Sequence, residues 1–411
     1  MLINAQYSIL LACLNESHNS ALTCAAETRE PITIPVTAMG SPSESAYLSV
    51  EVDTIEDDEE FMQDFLKPYL PYSLPLLRRC QFHAKQKQLT PGAEIYLATC
   101  SINEKAIGAE AETAVSSSQE NDLLDNPPWL AAHIDLSNSG QTQIWTFASW
   151  EHEFNKELDP ATAVQESPQY LAYQRLFEAL FRHIHKEHIF KLGDQPPEQW
   201  QRLKAEGKLV SEPFAKSKVL FGTLAECLWP FLDALRTDRG DSAISRESRP
   251  YLKYIFSSRE HEEVMSPPEG LRFAPVPEQY LQTIIDRTDI PRTVETIRQL
   301  PNIGLCDSNG RPIAWGLLSK DASLSSLHTE PEYRRQGLAE TVARRLLVEQ
   351  EKFYHDTENA TSLTDDDDAD AVVYGHADVS DSNVASRKVM EKVGGEVMWR
   401  TAWIEIDLGN V

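Results

Sequence analysis

Residues Leu327–Leu347 read LHTEPEYRRQGLAETVARRLL, and few folds accommodate such a stretch. SLSSLHT (Ser323–Thr329) predicts a strand, and Pro331 closes it. Leu338, Val342, Leu346 and Leu347 then lie along one face of a helix. The junction between strand and helix is RRQGLA, Arg334–Ala339. A helix start leaves backbone N–H groups without intrahelical partners, with positive dipole density behind them. A turn that gathers further N–H groups around the same point makes an anion cradle. Gly337 permits close backbone approach, and the small Ala339 leaves that approach clear. Arg334 and Arg335 add positive charge in a chain whose formal net charge is −26. The junction is therefore expected to hold a phosphate, and a pyrophosphate would fit.

The wider composition narrows the partners. A chain of 411 residues is long for one domain, so two are expected. The strong negative balance argues against nucleic acid and against an anionic membrane, since both require a basic face. No apolar run is long enough to span a bilayer. YSILLACL (Tyr7–Leu14) has the length of a signal-peptide core, but no Lys or Arg precedes Arg29. The six cysteines have irregular spacing and no C-x-x-C pair, which favours reduced thiols and a cytoplasmic location.

Along the chain, residues 1–45 show weak periodicity and are expected to be a poorly ordered extension. Residues 46–258 form a first domain. It opens with a helical region in EVDTIEDDEEFMQDFLKPYL and continues with strands EIYLATC, WLAAHIDL and TQIWTFASW. A long helix, PQYLAYQRLFEALFRHIHKE, follows, then strand KVLFGTL, a helix near LAECLWPFLDALR and strand YLKYIFSS. The charged, Pro-Pro-containing stretch Arg259–Gly270 reads as a linker. Residues 271–411 then give the order β-α-α-β-β-β-α-β-α-β, with a hairpin around Asp-Ser-Asn-Gly. The fold class expected is mixed α/β (α+β): one architecture used twice, each copy a twisted sheet flanked by helices.

YRRQGLA matches the R-x-x-G-x-A form of the acyl-coenzyme A loop in the Gcn5-related N-acetyltransferase (GNAT) superfamily. NVASRKVMEKVGG resembles that superfamily's later N-x-x-S-x-x-x-x-x-K-x-G helix. The G-x-P-x-x-W hairpin and T-x-P-E-x-R entry to the loop look closest to the glycine N-acyltransferase-like branch. The resemblance covers about Leu271–Leu408 and implies two tandem GNAT-like domains, the first degenerate. It implies acetyl-coenzyme A or another acyl-coenzyme A as co-substrate, with transfer to an amine of a small molecule. Coenzyme-binding positions would be Leu327, Thr329, Arg334, Arg335, Gln336, Gly337, Leu338, Ala339 and Asn383. The thioester carbonyl would lie where SLSSLHT and AVVYGHA splay apart.

The catalytic groups depart from the family pattern. Many members place a tyrosine where this chain has Met390, which cannot donate a proton. Ser386 is the available substitute. Ser323 stands where relatives use a glutamate base, with Asp321 close by. His328 and His376 lie near the cleft ends of the two strands and could relay a proton from the amine. The same departures leave open a catalytically inactive acyl-coenzyme A-binding protein. No metal site is expected: His183, His185 and His188 lack zinc-helix spacing, and TDDDDAD (Thr364–Asp370) lacks the glycine and final glutamate of a calcium loop.

Overall fold

The computed structural model describes residues 48–55, 59–90, 92–102, 126–153, 168–208, 210, 212–235, 240–257, 266–355 and 374–410. The N-terminal extension, most of the expected linker, the acidic run at 364–370, Cys13 and Cys24 lie outside them. The chain is mixed α/β, with twisted sheets flanked by helices, as expected.

The N-terminal half runs β1 (Leu48–Thr54), α1 (Glu59–Leu66), α2 (Leu74–Lys85), β2 (Glu94–Ile102), β3 (Trp129–Ile134) and β4 (Ile144–Ala148). It continues with α3 (Pro168–Glu187), α4 (Glu198–Ala205), β5 (Lys218–Ala225), α5 (Trp229–Ala234), β6 (Ile244–Glu247) and β7 (Tyr251–Ser257). Strand side chains alternate between two faces, and both faces are covered here. Leu130, Ala132 and Ile134 of β3 and Ile144 and Ala148 of β4 enter the core shared with α3. Trp129, Ala131, Trp145 and Phe147 enter the core shared with α1 and α2. The expected opening helix is corrected at its start: residues 48–54 are β1, paired antiparallel with β2 from Leu48↔Ile102 to Thr54↔Tyr96. The alternation of Val50 and Val52 with Glu51 and Asp53 has the period of a strand, and it prevails over the acidic helix-like stretch that follows.

The C-terminal half contains β8 (Arg272–Ala274), α6 (Leu281–Asp286), α7 (Val294–Gln299), β9 (Asn302–Cys306), β10 (Pro312–Leu318) and β11 (Leu324–Thr329). After these come α8 (Leu338–His355), β12 (Tyr374–Ser380), α9 (Val384–Val393) and β13 (Glu396–Asp407). This is the element order expected from the sequence. Strands β8–β11 form one antiparallel sheet, ordered β11-β10-β9-β8. Trp315 and Leu317 face α6 and α7, while Ala314 and Leu318 face α8 through Leu338, Val342 and Leu346. Gly316 lets α8 close on the sheet: a Cβ there would stand 2.7 Å from Leu346 Cδ1 and 3.3 Å from Val342 Cγ1.

The last strand does not stay with its own half. The larger sheet is ordered β1-β2-β3-β4-β5-β13-β7-β12, with β6 also paired to β13. Strand β13 thus lies between β5 and β7 of the N-terminal half, and β7 in turn separates β13 from β12. The gap between β4 and β5 is narrow: they pair in parallel at Ile144↔Phe221. Gln143 bridges them further, its N–H donating to the Leu220 carbonyl at 2.9 Å and its Oε1 accepting from Leu220 N–H at 3.3 Å.

Candidate coenzyme site and acyl-transfer cleft

The strand–turn–helix junction is built as its residues require. Strand β11 ends at Thr329, a single 3₁₀ turn spans Pro331–Tyr333, and α8 begins at Leu338. Between them Arg335 and Gly337 adopt positive φ, 64° and 79°. Only glycine takes that conformation without steric cost. A Cβ added at Gly337 would meet nothing within 4 Å, so the backbone angle, and not crowding, is what calls for glycine. The first N–H of the helix to turn inward is that of Thr341, donating to the Gly337 carbonyl at 3.1 Å. The Thr341 hydroxyl donates to the same oxygen at 3.3 Å. Among the described residues, no backbone hydrogen bond outside the helix and strand ladders is donated by Arg335, Gln336, Gly337, Leu338 or Ala339. Arg334 through Gly337 are exposed, Leu338 is buried as the helix anchor, and Ala339 is half-buried. Arg334 folds back, its Nε donating to the Thr329 carbonyl at 3.1 Å. The result is an exposed turn whose backbone N–H groups from Arg335 to Ala339 make none of these hydrogen bonds, with two arginines in the same segment.

Strands β11 and β12 are the walls beside this turn. They are neighbours, yet they belong to different sheets and each is an edge strand. Strand β11 carries a bulge against β10: Trp315 faces His328 and Leu317 faces Ser325, so Ser326 and Leu327 together oppose Gly316. Ser326 has φ 49°. A bulge leaves its extra residue out of the ladder and re-aims the strand. Nothing in the sequence of SLSSLHT marks this position, since serine is not the residue that positive φ favours. Leu327 is half-buried against the α8 core, and the buried Thr329 Oγ1 has no hydrogen-bond partner among the described residues.

The four remaining candidates have separate surroundings. His328 stacks on Trp315 with centroids 4.7 Å apart, and its Nε2 lies 3.7 Å from Glu330 Oε2. Arg287 Nε stands 3.6 Å from the same carboxylate oxygen. Burial first, then the Arg334 and Arg287 charges, lower the His328 pKa, with Glu330 opposing. A neutral imidazole at physiological pH follows. His376 is fully buried on β12; its Nε2 lies 2.6 Å from the Asp321 carbonyl, and its Nδ1 lies 3.3 Å from Lys253 Nζ. A carbonyl only accepts, so Nε2 carries the proton and Nδ1 accepts from the ammonium. Burial, then Lys253, push its pKa down to about 4. Asn383 and Ser386 are joined to each other: the Asn383 Oδ1 caps α9 by accepting from Ser386 N–H at 3.1 Å. Asn383 is exposed and Ser386 half-buried. Met390 is a core residue, and Ser323 donates through its N–H and hydroxyl to Asp321 Oδ1.

The class defined by this arrangement is a mixed α/β protein with an exposed positive-φ turn beside two neighbouring edge strands. The comparisons identify the family. Residues 49–254 match the acyl-CoA N-acyltransferase verG N-terminal domain, half of the chain, and the protein belongs to that family. The matched segment is the N-terminal half; the turn at Arg334–Ala339 lies outside it. No curated protein matches the chain. Among solved structures, a Drosophila protein is 12% identical, with 86% of this chain and 98% of that one covered at a TM-score of 0.49. A tandem GNAT protein from the clavulanic acid biosynthesis pathway is 11% identical, with 88% and 100% covered at 0.41. A GNAT-family acetyltransferase from Colwellia psychrerythraea is 11% identical, with 87% and 99% covered at 0.32. All three scores lie below 0.5.

Proposed function

We propose that the protein is an acyl-coenzyme A-dependent N-acyltransferase that moves an acetyl or longer acyl group to an amine of a small molecule. The observation that carries the proposal is the turn at Arg334–Ala339, where exposed N–H groups and two arginines meet at the start of an 18-residue helix. The pyrophosphate of the coenzyme would sit there, with its amide arm along β11 at Leu327 and Thr329 and with Asn383 near the far wall. The bulge at Ser326–Leu327 supports a backbone N–H facing the thioester oxygen, where a donor stabilises developing charge most effectively. The amine attacks the carbonyl carbon, the C–S bond breaks, and the thiolate leaves. His328, held neutral, accepts the proton of the amine directly or through water, and Ser386 is the group offered to the leaving sulfur. The glycine N-acyltransferase-like affinity, the division of the chain near 259–270 and the cytoplasmic location belong to this same proposal.

The buried Met390 and the fully engaged His376 favour a second proposal, an acyl-coenzyme A-binding protein without turnover. Isothermal titration with acetyl-coenzyme A and a longer acyl-coenzyme A tests the shared part. Wild type is expected to bind saturably, and Gly337→Glu to lose binding while its melting temperature stays within a few degrees. Equal binding by both would sink the coenzyme assignment. Acylation of any amine in a panel, lost in Gly337→Glu, would dismiss the inactive alternative.

A further inference from the structure

The turn joining β10 to β11, Ser319–Ser323, is tied on three sides. Internally, Ser319 N–H donates to the Ser323 carbonyl at 2.9 Å, and Ala322 takes φ 62°. Towards the N-terminal half, Lys320 Nζ donates to Asn138 Oδ1 at 2.8 Å and stands 3.8 Å from Asp135 Oδ2. Asp135 also receives Arg79 Nη2 at 3.3 Å, both side chains being fully buried. Trp145 of β4 donates its indole N–H to Asp321 Oδ2 at 3.3 Å. Towards the opposite wall, the Asp321 carbonyl accepts from His376 of β12. His376 is itself held by Lys253 of β7, which donates to Asp378 Oδ2 at 2.7 Å and to Thr223 Oγ1 of β5 at 2.8 Å. Thr401 of β13 completes the chain by donating to Asp378 Oδ1 at 2.9 Å.

Three residues after Asp321, β11 begins. Among the described residues no ladder joins β11 to β12, so their separation at this end is fixed by side chains, and those side chains are anchored in the N-terminal half. We propose that the N-terminal half acts as a splint for the cleft: Trp145 and Lys253, through Asp321 and His376, set the spacing of β11 and β12 and so the alignment of the thioester with its acceptor. The catalytic part of this inference rests on the acyltransferase proposal above; the mechanical part does not. His376 is a positioning residue here, because both ring nitrogens are spent on the splint. Reaction rates respond steeply to small misplacement of reacting atoms, so a loosened splint acts on turnover more than on donor binding, whose phosphate contacts lie at the other end of β11.

The test uses full-length His376→Leu, His376→Gln and Trp145→Phe. Glutamine can still donate to the Asp321 carbonyl, and phenylalanine keeps an aromatic ring, though a smaller one, while losing the indole N–H. Hydrogen–deuterium exchange is followed in peptides covering 319–329 and 374–380, beside acetyl-coenzyme A titration and turnover of the best amine in the panel. For His376→Leu we expect exchange at least tenfold faster in both segments, acetyl-coenzyme A affinity within about threefold of wild type and kcat at least tenfold lower. His376→Gln should restore most of both losses. Trp145→Phe should loosen 319–329 alone, and it decides the matter if His376→Leu fails to fold. Unchanged exchange, absence of rescue by glutamine, or donor affinity falling in step with kcat would overturn the splint. If wild type neither binds acetyl-coenzyme A nor transfers the acetyl group, the acyltransferase proposal falls, while the exchange data still decide whether the two walls are tied as described.

Discussion

At the end of β4 the N-terminal half satisfies its own backbone. The Glu151 carboxyl accepts from Ala148 N–H at 2.9 Å there, while Gln143 stitches β4 to β5 at the opposite, starting end of the strand. At the end of β11, the matching place in the C-terminal half, the backbone instead turns outward through two positive-φ residues, and the neighbouring strand belongs to another sheet. The same place in the element order is thus capped by a protein carboxyl in one half and left exposed in the other. A buried carboxyl stands at the first end, and two exposed arginines, Arg334 and Arg335, stand at the second.

The capped end offers the largest effect. Burial raises the Glu151 pKa from 4.5 to about 8, with the Ala148 hydrogen bond and Lys253 opposing. A raised acid binds its proton more tightly when folded, so this contribution is complete below pH 4.5 and is lost as pH rises through about 8. Over that window the loss amounts to about 5 kcal/mol at most. Urea unfolding at pH 6 and pH 9 should show a much smaller alkaline loss in Glu151→Gln than in wild type. Parallel curves would mean that the capped end is not held by a buried acid.

The tie between the walls has the opposite sign. His376 has a folded pKa of about 4, below its ordinary 6.5, so its contribution is present above pH 6.5 and is lost as pH falls towards 4. About 3 kcal/mol is at stake. Wild type should lose that much more stability than His376→Gln between pH 7 and pH 4.5; equal slopes would contradict a buried neutral histidine. The smallest effect is expected at the exposed end. Gly337→Ala places its methyl in empty space, so only the positive φ penalises it, by about 1 kcal/mol. Thermal unfolding reads that cost, and a much larger loss would show that the turn is more crowded than the exposed end requires.

Much of this was legible in the sequence for physical reasons. The period-3.6 stripe of Leu338, Val342 and Leu346 and the Gly337 turn are local properties, and the C-terminal element order followed from them. Strands β3 and β4 and the long α3 were equally local. What escaped was non-local. The short strand β1 was masked by its acidic residues, and the bulge at Ser326 arises from the register between β10 and β11 and not from serine itself. His376 was expected near a reacting amine because β12 was expected to be a cleft wall. The partners that bury it, Lys253 and the Asp321 carbonyl, are distant in sequence. No spacing rule connects residues 145, 253, 321 and 376.

The threading of β13 between β5 and β7 bears on how the molecule is made. The twelve residues Glu396–Asp407 leave the ribosome after every other described strand, yet they occupy the interior of the larger sheet. Until they arrive, β5 and β7 expose unpaired edges, a hazard for any chain that waits with open strands. Two halves expressed apart would each lack a strand that the other owns. A chain stopped short of residue 396 would therefore fail in its N-terminal half first, although every residue of that half's own sequence had been made.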